Sequence, residues 1–249
     1  MTDFSYQLYS SRKFAPLPDV LKMIADLGYT QAEGWGGLYA SPEAVETLKA
    51  HLGANGLAMP TGHVGFEQIR DDTDTVIAFA KARGMKAVIT PIAPGRDMGM
   101  TGWEAFAAEL AEASKPYLDA GLEVGYHNHH FEFFDKGGDR LPIEVILDGA
   151  PDIKFEMDVA WVAKGGHDPL EWMARYSDRL IAAHVKDIAP EGTCEDEDGW
   201  ADVGQGTLPW SDYMAALRGA GVDIFVMEHD NPSDDRRFAE RSIAAARKL

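Results

Sequence analysis

One cysteine, Cys194, stands in 249 residues, so no disulfide can close within the chain and a disulfide-stapled scaffold is excluded. No apolar run approaches the roughly 18 residues that a membrane helix needs. The N-terminal segment lacks the basic stretch and apolar run of a secretory leader. A cytoplasmic protein without a membrane partner is expected. Positive charge is also scarce: 23 Lys and Arg against 41 Asp and Glu leave a net charge of −18. So acidic a surface repels phosphate backbones, which basic side chains ordinarily meet, and nucleic acid is not expected as a partner. A nucleotide-binding glycine fingerprint and a nucleophilic cysteine motif are both missing.

What is present is a regular alternation. Short apolar or β-branched runs predict strands at Ser5–Tyr9, Thr30–Gly34, Leu57–His63, Ala87–Pro91, Glu123–Asn128, Ile153–Val159, Ile181–Val185 and Ile224–Glu228. Amphipathic stretches predict helices between them, among them Leu17–Asp26, Pro42–Asn55, Thr73–Ala82, Trp103–Ala120, Leu170–Tyr176 and Pro209–Ala220. Strands alternating with helices imply parallel pairing through crossovers. Gly28, Gly56, Gly84, Gly121 and Gly221 each stand between a helical pattern and the next strand, where a left-handed helix end favours glycine. Eight such units in about 250 residues suit a closed (β/α)₈ TIM barrel. No linker or low-complexity segment divides residues 1–249, so one α/β domain is expected.

Polar and ionisable residues gather at the C-terminal ends of the later strands, where barrel active sites are built. The fifth strand ends Tyr126-His127-Asn128-His129-His130-Phe131-Glu132, and the sixth reads Phe155-Glu156-Met157-Asp158. The seventh ends His184-Val185-Lys186-Asp187 and the eighth Met227-Glu228-His229-Asp230. Converging carboxylates are costly unless a cation sits among them. One divalent metal ion meets that need. Oxygen-rich ligands with an imidazole suit Mn²⁺, with Mg²⁺, Co²⁺ and Zn²⁺ as competitors. Asp158, His184 and Glu228 are the expected ligands. The fifth strand offers Glu132 just beyond its end, or His127 and His129 on one strand face. Glu156 reads as a paired barrel residue. Glu33, His63 and Lys186 are candidates for binding substrate oxygens, and Trp35 and Trp161 for stacking on a sugar face.

The segments Tyr126–Phe133, Phe155–Trp161, His184–Asp187 and Val203-Gly204-Gln205-Gly206 resemble signatures of the sugar phosphate isomerase/epimerase superfamily, the xylose isomerase-like TIM barrels. The resemblance spans essentially the whole chain. It implies a metal held by a Glu, an Asp, a His and a Glu from strands five to eight, carried here by Glu132, Asp158, His184 and Glu228. It also implies that Glu132 and Glu228 move the proton. His127 and His129 would add substrate contacts and acid–base groups, with His129 a further catalytic candidate.

The expected activity is metal-dependent isomerisation or epimerisation of a sugar or keto-sugar, by proton abstraction next to a carbonyl and through an enediolate. The alternative is a lyase or dehydratase that eliminates water or an aglycone from a keto-sugar or 3-keto-glycoside. The partner is then a small carbohydrate, read as unphosphorylated because no phosphate-binding cluster stands out. A homo-oligomer is left open. The irregular stretch 188–209, with its acidic run Glu195–Asp198, follows strand seven and is expected to border and partly close the site.

Overall fold

The computed structural model describes residues 3–39, 41–135 and 137–249. Seven parallel strands come first: β1 (Phe4–Gln7), β2 (Gln31–Glu33), β3 (Thr61–His63), β4 (Ala87–Thr90), β5 (Glu123–His127), β6 (Lys154–Asp158) and β7 (Leu180–Val185). A short antiparallel pair, β8 (Asp187–Ile188) and β9 (Trp200–Ala201), follows, and then the last barrel strand, β10 (Ile224–Met227). The barrel strands are ordered β2-β1-β10-β7-β6-β5-β4-β3. Bridges Gln31↔Ala58 and Gly34↔Gly62 join the β2 and β3 ends and complete the ring.

Helices α1 (Leu17–Leu27), α2 (Pro42–Ala54), α3 (Phe66–Asp71), α4 (Thr73–Arg83), α5 (Met100–Asp119), α6 (Pro142–Gly149), α7 (Val159–Lys164), α8 (Pro169–Arg175), α9 (Trp210–Gly219) and α10 (Asp235–Ala246) connect the strands. The five junction glycines all take positive φ, between 64° for Gly56 and Gly84 and 91° for Gly28. An L side chain would be strained there. The glycine punctuation therefore marks real helix ends. No helix among the described residues is long and apolar enough to cross a membrane.

Observed strands are shorter than the apolar runs that announce them. Leu8–Ser11 coils into a 3₁₀ turn after β1, and Leu57–Pro60 leads into β3 with only the isolated Ala58 bridge to β2. Pro60 has no N–H to give a sheet, which fits the late start of that strand. Helices α3, α6, α7 and α10 lie outside the stretches singled out by periodicity. Apolar α6 buries Ile143, Val145, Ile146 and Leu147, so it shows little polar face to read.

Strand alternation divides the core in two. Phe4, Tyr6, Tyr126, Phe155, Met157, Ala183, Val185, Phe225 and Met227 belong to the large layer that includes buried helix residues. Ala182, Ile224 and Val226 form a separate small cluster, the apolar floor inside the barrel. With a period of two, Ala182 shares its strand face with His184, and Lys186 continues in the same register. Above the floor the interior is polar: Gln7, Glu33, Thr61, Glu156, Asp158 and His184 are completely buried. A barrel usually fills this space with branched apolar side chains. Here it holds ionisable groups instead.

Candidate active site

Asp158 ends β6 and also caps α7. Its Oδ1 accepts from Trp161 N–H at 2.8 Å. Its backbone is clamped by Asn128, whose Oδ1 accepts from Asp158 N at 2.9 Å and whose Nδ2 donates to Asp158 O at 3.1 Å. Asn128 thus ties the end of β5 to the end of β6. This leaves Asp158 Oδ2 buried without a hydrogen bond, 4.0 Å from His127 Nε2 and 3.1 Å from Lys186 Nζ.

His184 lies between two carboxylates. Its Nδ1 is 2.8 Å from Glu228 Oε2 and its Nε2 is 2.8 Å from Glu33 Oε2. Burial would push this imidazole down, but Glu156, Glu228 and Glu33 outweigh it and hold it well above the ordinary histidine range. Glu228 is governed by the same balance: Lys186 and His184 overcome its burial and keep it well below the usual carboxylate range. The Lys186 ammonium, 1% exposed, also lies 2.9 Å from Glu228 and 3.0 Å from Asp230.

Donor atoms of His127, Asp158, His184 and Glu228 all lie within 4.8 Å of one another, as do those of a deeper set, His63, His127, Glu156 and His184. Both sets are wholly buried. Three observations fit a cation here. Asp158 Oδ2 is a buried carboxylate oxygen without a hydrogen-bond partner. Burial, with the Glu228 charge adding to it, raises Asp158 and Asp230 in spite of Lys186. Three carboxylates, those of Asp158, Glu228 and Asp230, lie within 3.1 Å of the Lys186 ammonium, so acidic groups outnumber basic ones around it.

The structure brings Asp158, His184 and Glu228 together and adds His127 to them. Glu132 stands in neither set. It belongs to a 3₁₀ turn, His130–Phe133, where its oxygens accept from Tyr126 Oη at 2.6 Å and from His129 N at 2.8 Å. Burial pushes it up to about 8 against those two bonds. Glu33 lies below the site, bound by Gln7, Thr61 and His184. Glu156 is paired with His63 at 2.7 Å. Lys186 spends its charge on carboxylates.

A cavity of about 290 Å³ opens over this cluster, with Trp35, His63, His127, His129, Trp161 and Glu228 in its wall. All six were candidates from sequence. His129 carries an unpartnered Nδ1, and burial holds its ring well below the usual histidine value. His127 is held down to about 3 by burial and by its histidine neighbours. Tyr9 stands edge-on to Trp35 at 5.3 Å, and His130 stacks on Trp161 at 4.8 Å.

Sequence reasoning did not single out Tyr9, Arg96 and Asp230, which also line the cavity, or Trp200 behind it. Asp230 could have been found by strand alternation from Glu228. Trp200 could not, because it comes from the irregular segment after β7. That segment is held by Asp187, whose carboxylate accepts from the backbone N–H groups of Ile188, Gly204, Gly206 and Leu208. A Cβ on Gly206 would come within 2.2 Å of Asp187 Oδ1, so the Val203–Gly206 stretch is shaped to this carboxylate. The folded segment sets Trp200 edge-on to Trp161 at 4.7 Å, with the Lys164 ammonium 3.4 Å from the Trp200 ring centre.

Residues 21–249 match the family model described as xylose isomerase-like TIM barrel. A comparison with curated proteins finds no match. Among solved structures, two sugar phosphate isomerase/epimerases from Parabacteroides distasonis are similar. One is 21% identical with a TM-score of 0.77, covering 98% of this chain and 94% of its own. The other is 19% identical with a TM-score of 0.83, covering 100% and 99%. A structure described as the probable 3-DHS dehydratase of petrobactin synthesis from Bacillus anthracis is 12% identical, with a TM-score of 0.78 and 98% of both chains covered. At these identities the likeness is one of fold.

Proposed function

The chain belongs to the xylose isomerase-like TIM barrel family, and from that premise we propose that it is a metal-dependent isomerase or epimerase of a sugar or keto-sugar. The observation that carries the reading is the buried meeting of His127, Asp158, His184 and Glu228 beneath an aromatic-walled cavity. These four residues are the proposed ligands, with His127 as the fifth-strand member. A divalent ion there would supply Lewis acidity to a substrate carbonyl, acidifying the neighbouring C–H. Carboxylate and imidazole donors suit Mn²⁺ best among the common candidates.

Glu228 is charged at neutral pH and lines the cavity, so it is placed to take a proton from carbon. His129, neutral, lining the cavity and with an unpartnered Nδ1, is the second acid–base group. Glu132, bonded to the backbone N–H of His129, holds that histidine's segment in place. Trp35 and Trp161 offer flat apolar faces to the C–H side of a sugar ring. A cavity of about 290 Å³ is at the small end of ligand sites, which run from roughly 300 to 1,000 Å³, and suits one ring rather than a chain.

A lyase is the second reading, favoured by two imidazoles beyond the proposed ligands, those of His63 and His129, in one cavity wall. An extra acid near the reacting carbon is what a departing oxygen needs. Incubation of candidate sugars and 3-keto-sugars with Mn²⁺-loaded protein in D₂O tests both. Isomerisation leaves product mass unchanged apart from deuterium at the carbon next to the carbonyl, whereas elimination releases water or an aglycone. Turnover without deuterium, or turnover that survives complete metal removal, sinks the proposal.

A further inference from the structure

The two four-residue sets share His127 and His184, and each histidine presents a different nitrogen to each set. His184 turns Nδ1 to Glu228 and Nε2 to Glu33 and Glu156, at 2.8 and 3.3 Å. His127 turns Nε2 towards Asp158 at 4.0 Å and Nδ1 towards Glu156 Oε2 at 3.3 Å. An imidazole ligates one ion through one nitrogen while the other keeps its proton. To hold ions in both sets at once, both rings would have to lose that second proton. Nothing around the deep set favours two imidazolates, because the carboxylates of Glu33 and Glu156 face those nitrogens as acceptors for their protons.

Resting on the metal reading above, we infer that Glu33 and Glu156 are positioning residues: Glu33, hydrogen-bonded to His184 Nε2, and Glu156, whose Oε2 stands 3.3 Å from the otherwise unpartnered His127 Nδ1, draw the proton of each ring inward, leaving His184 Nδ1 and His127 Nε2 as the ligand atoms, so the chain holds one ion and not two. Glu33 is built for this task. Gln7 Nε2 donates to its Oε2 at 2.7 Å and Thr61 Oγ1 to its Oε1 at 2.5 Å, which leaves Oε2 aimed at His184 from β2, across the barrel from β7. Glu156 Oε2 is fixed from another side by His63 Nε2 at 2.7 Å. Both carboxylates are fully buried, so neither trades these partners for water. The arrangement is the carboxylate–histidine–metal relay by which outer groups set a ligand's tautomer. It assigns Glu33 and Glu156 to the ion's ligands rather than to substrate.

The test compares wild type with Glu33→Gln and Glu156→Gln, using Zn²⁺ as a diamagnetic probe. Calorimetric titration of the metal-free proteins should give one ion per wild-type chain, and about 10–100-fold weaker binding in each variant. Histidine ¹⁵N spectra of the Zn²⁺-loaded wild type should place the proton of His184 on Nε2 and that of His127 on Nδ1. In Glu33→Gln the His184 pattern should become mixed, and in Glu156→Gln that of His127, a change that mere loosening of the fold does not produce. Variants that keep wild-type affinity and wild-type proton positions overturn the inference. So does a wild type that binds two ions, one of which Glu156→Gln abolishes, since the deep set would then be a cation site. A wild type that takes up no ion overturns the metal reading, and the inference with it, before any variant is compared.

Discussion

With carboxylate oxygens of Glu228, Asp230 and Asp158 at 2.9, 3.0 and 3.1 Å from its ammonium, Lys186 neutralises part of the charge that a bound ion would also balance. Replacing it with Met should cost the metal-free protein about 3–5 kcal/mol, the usual penalty for orphaning a buried charge. Mn²⁺ should restore part of that loss, so the gap in Tm between loaded and metal-free forms should be wider than in wild type. An unchanged gap would mean that Lys186 and the ion do not share the same field. Glu228→Gln should slow proton exchange in D₂O by roughly 10²-fold or more, with metal occupancy measured alongside the rate. Asp158→Asn should abolish stoichiometric metal, because the orphaned Oδ2 is the oxygen aimed at the cluster. Three of the four proposed ligands were legible from sequence, since strand alternation fixes the direction in which Asp158, His184 and Glu228 point. The fifth-strand member was not. Whether Glu132 or a histidine meets the others depends on the 3₁₀ turn that bends Glu132 back to His129 N and Tyr126, and spacing alone does not reveal that bond pattern.

At the scale of elements, the segment after β7 is folded and anchored at both ends. Glu197 and Asp202 bind Arg237 on α10, and Asp187 binds the Val203–Gly206 turn. Gly206→Ala should push the turn off Asp187 and cost on the order of 2 kcal/mol through displaced buried hydrogen bonds. Trp200, which backs the cavity residue Trp161 at 4.7 Å, would shift with it, which substrate KM would report. Glu197 adds a pH dependence. Burial would raise it, but bonds from Ser233 and Arg237 win and bring it to about 2 from 4.5. Because the folded state binds this proton later than the unfolded chain, its contribution is complete above about pH 4.5 and is lost as pH falls towards 2. Glu197→Gln should therefore shrink the drop in Tm between pH 7 and pH 3. The acidic run was readable as a segment on the catalytic face, yet its anchors were not, because Arg237 is forty residues from Glu197 in sequence.

For the whole molecule, ion binding and stability are one equilibrium. At 100 times its Kd, an ion that binds only the folded chain adds about 2.7 kcal/mol, which corresponds to roughly 5–10 °C in Tm for a chain of this length. A scan with and without chelator measures it, and identical curves would deny the site any hold on the fold. The barrel itself was legible because its junction glycines repeat, and each does take the left-handed turn that the repetition implies. The ring, however, is not uniform. Between β2 and β3 the backbone supplies only isolated bridges, with bonds such as Ala32 N to Ala58 O at 2.9 Å and His63 N to Gly34 O at 2.9 Å. Side chains cross the same gap: Glu33 on β2 reaches Thr61 at 2.5 Å and His63 at 3.3 Å on β3. The sheet is thus stitched at its seam from within, by the residues that also orient the histidines. Amides of Ala32, Ala58 and His63 should exchange with solvent deuterium ahead of those in β6 and β7. Each such opening unlatches Glu33 from its neighbours, so the opening of the seam and the release of the ion should share a clock.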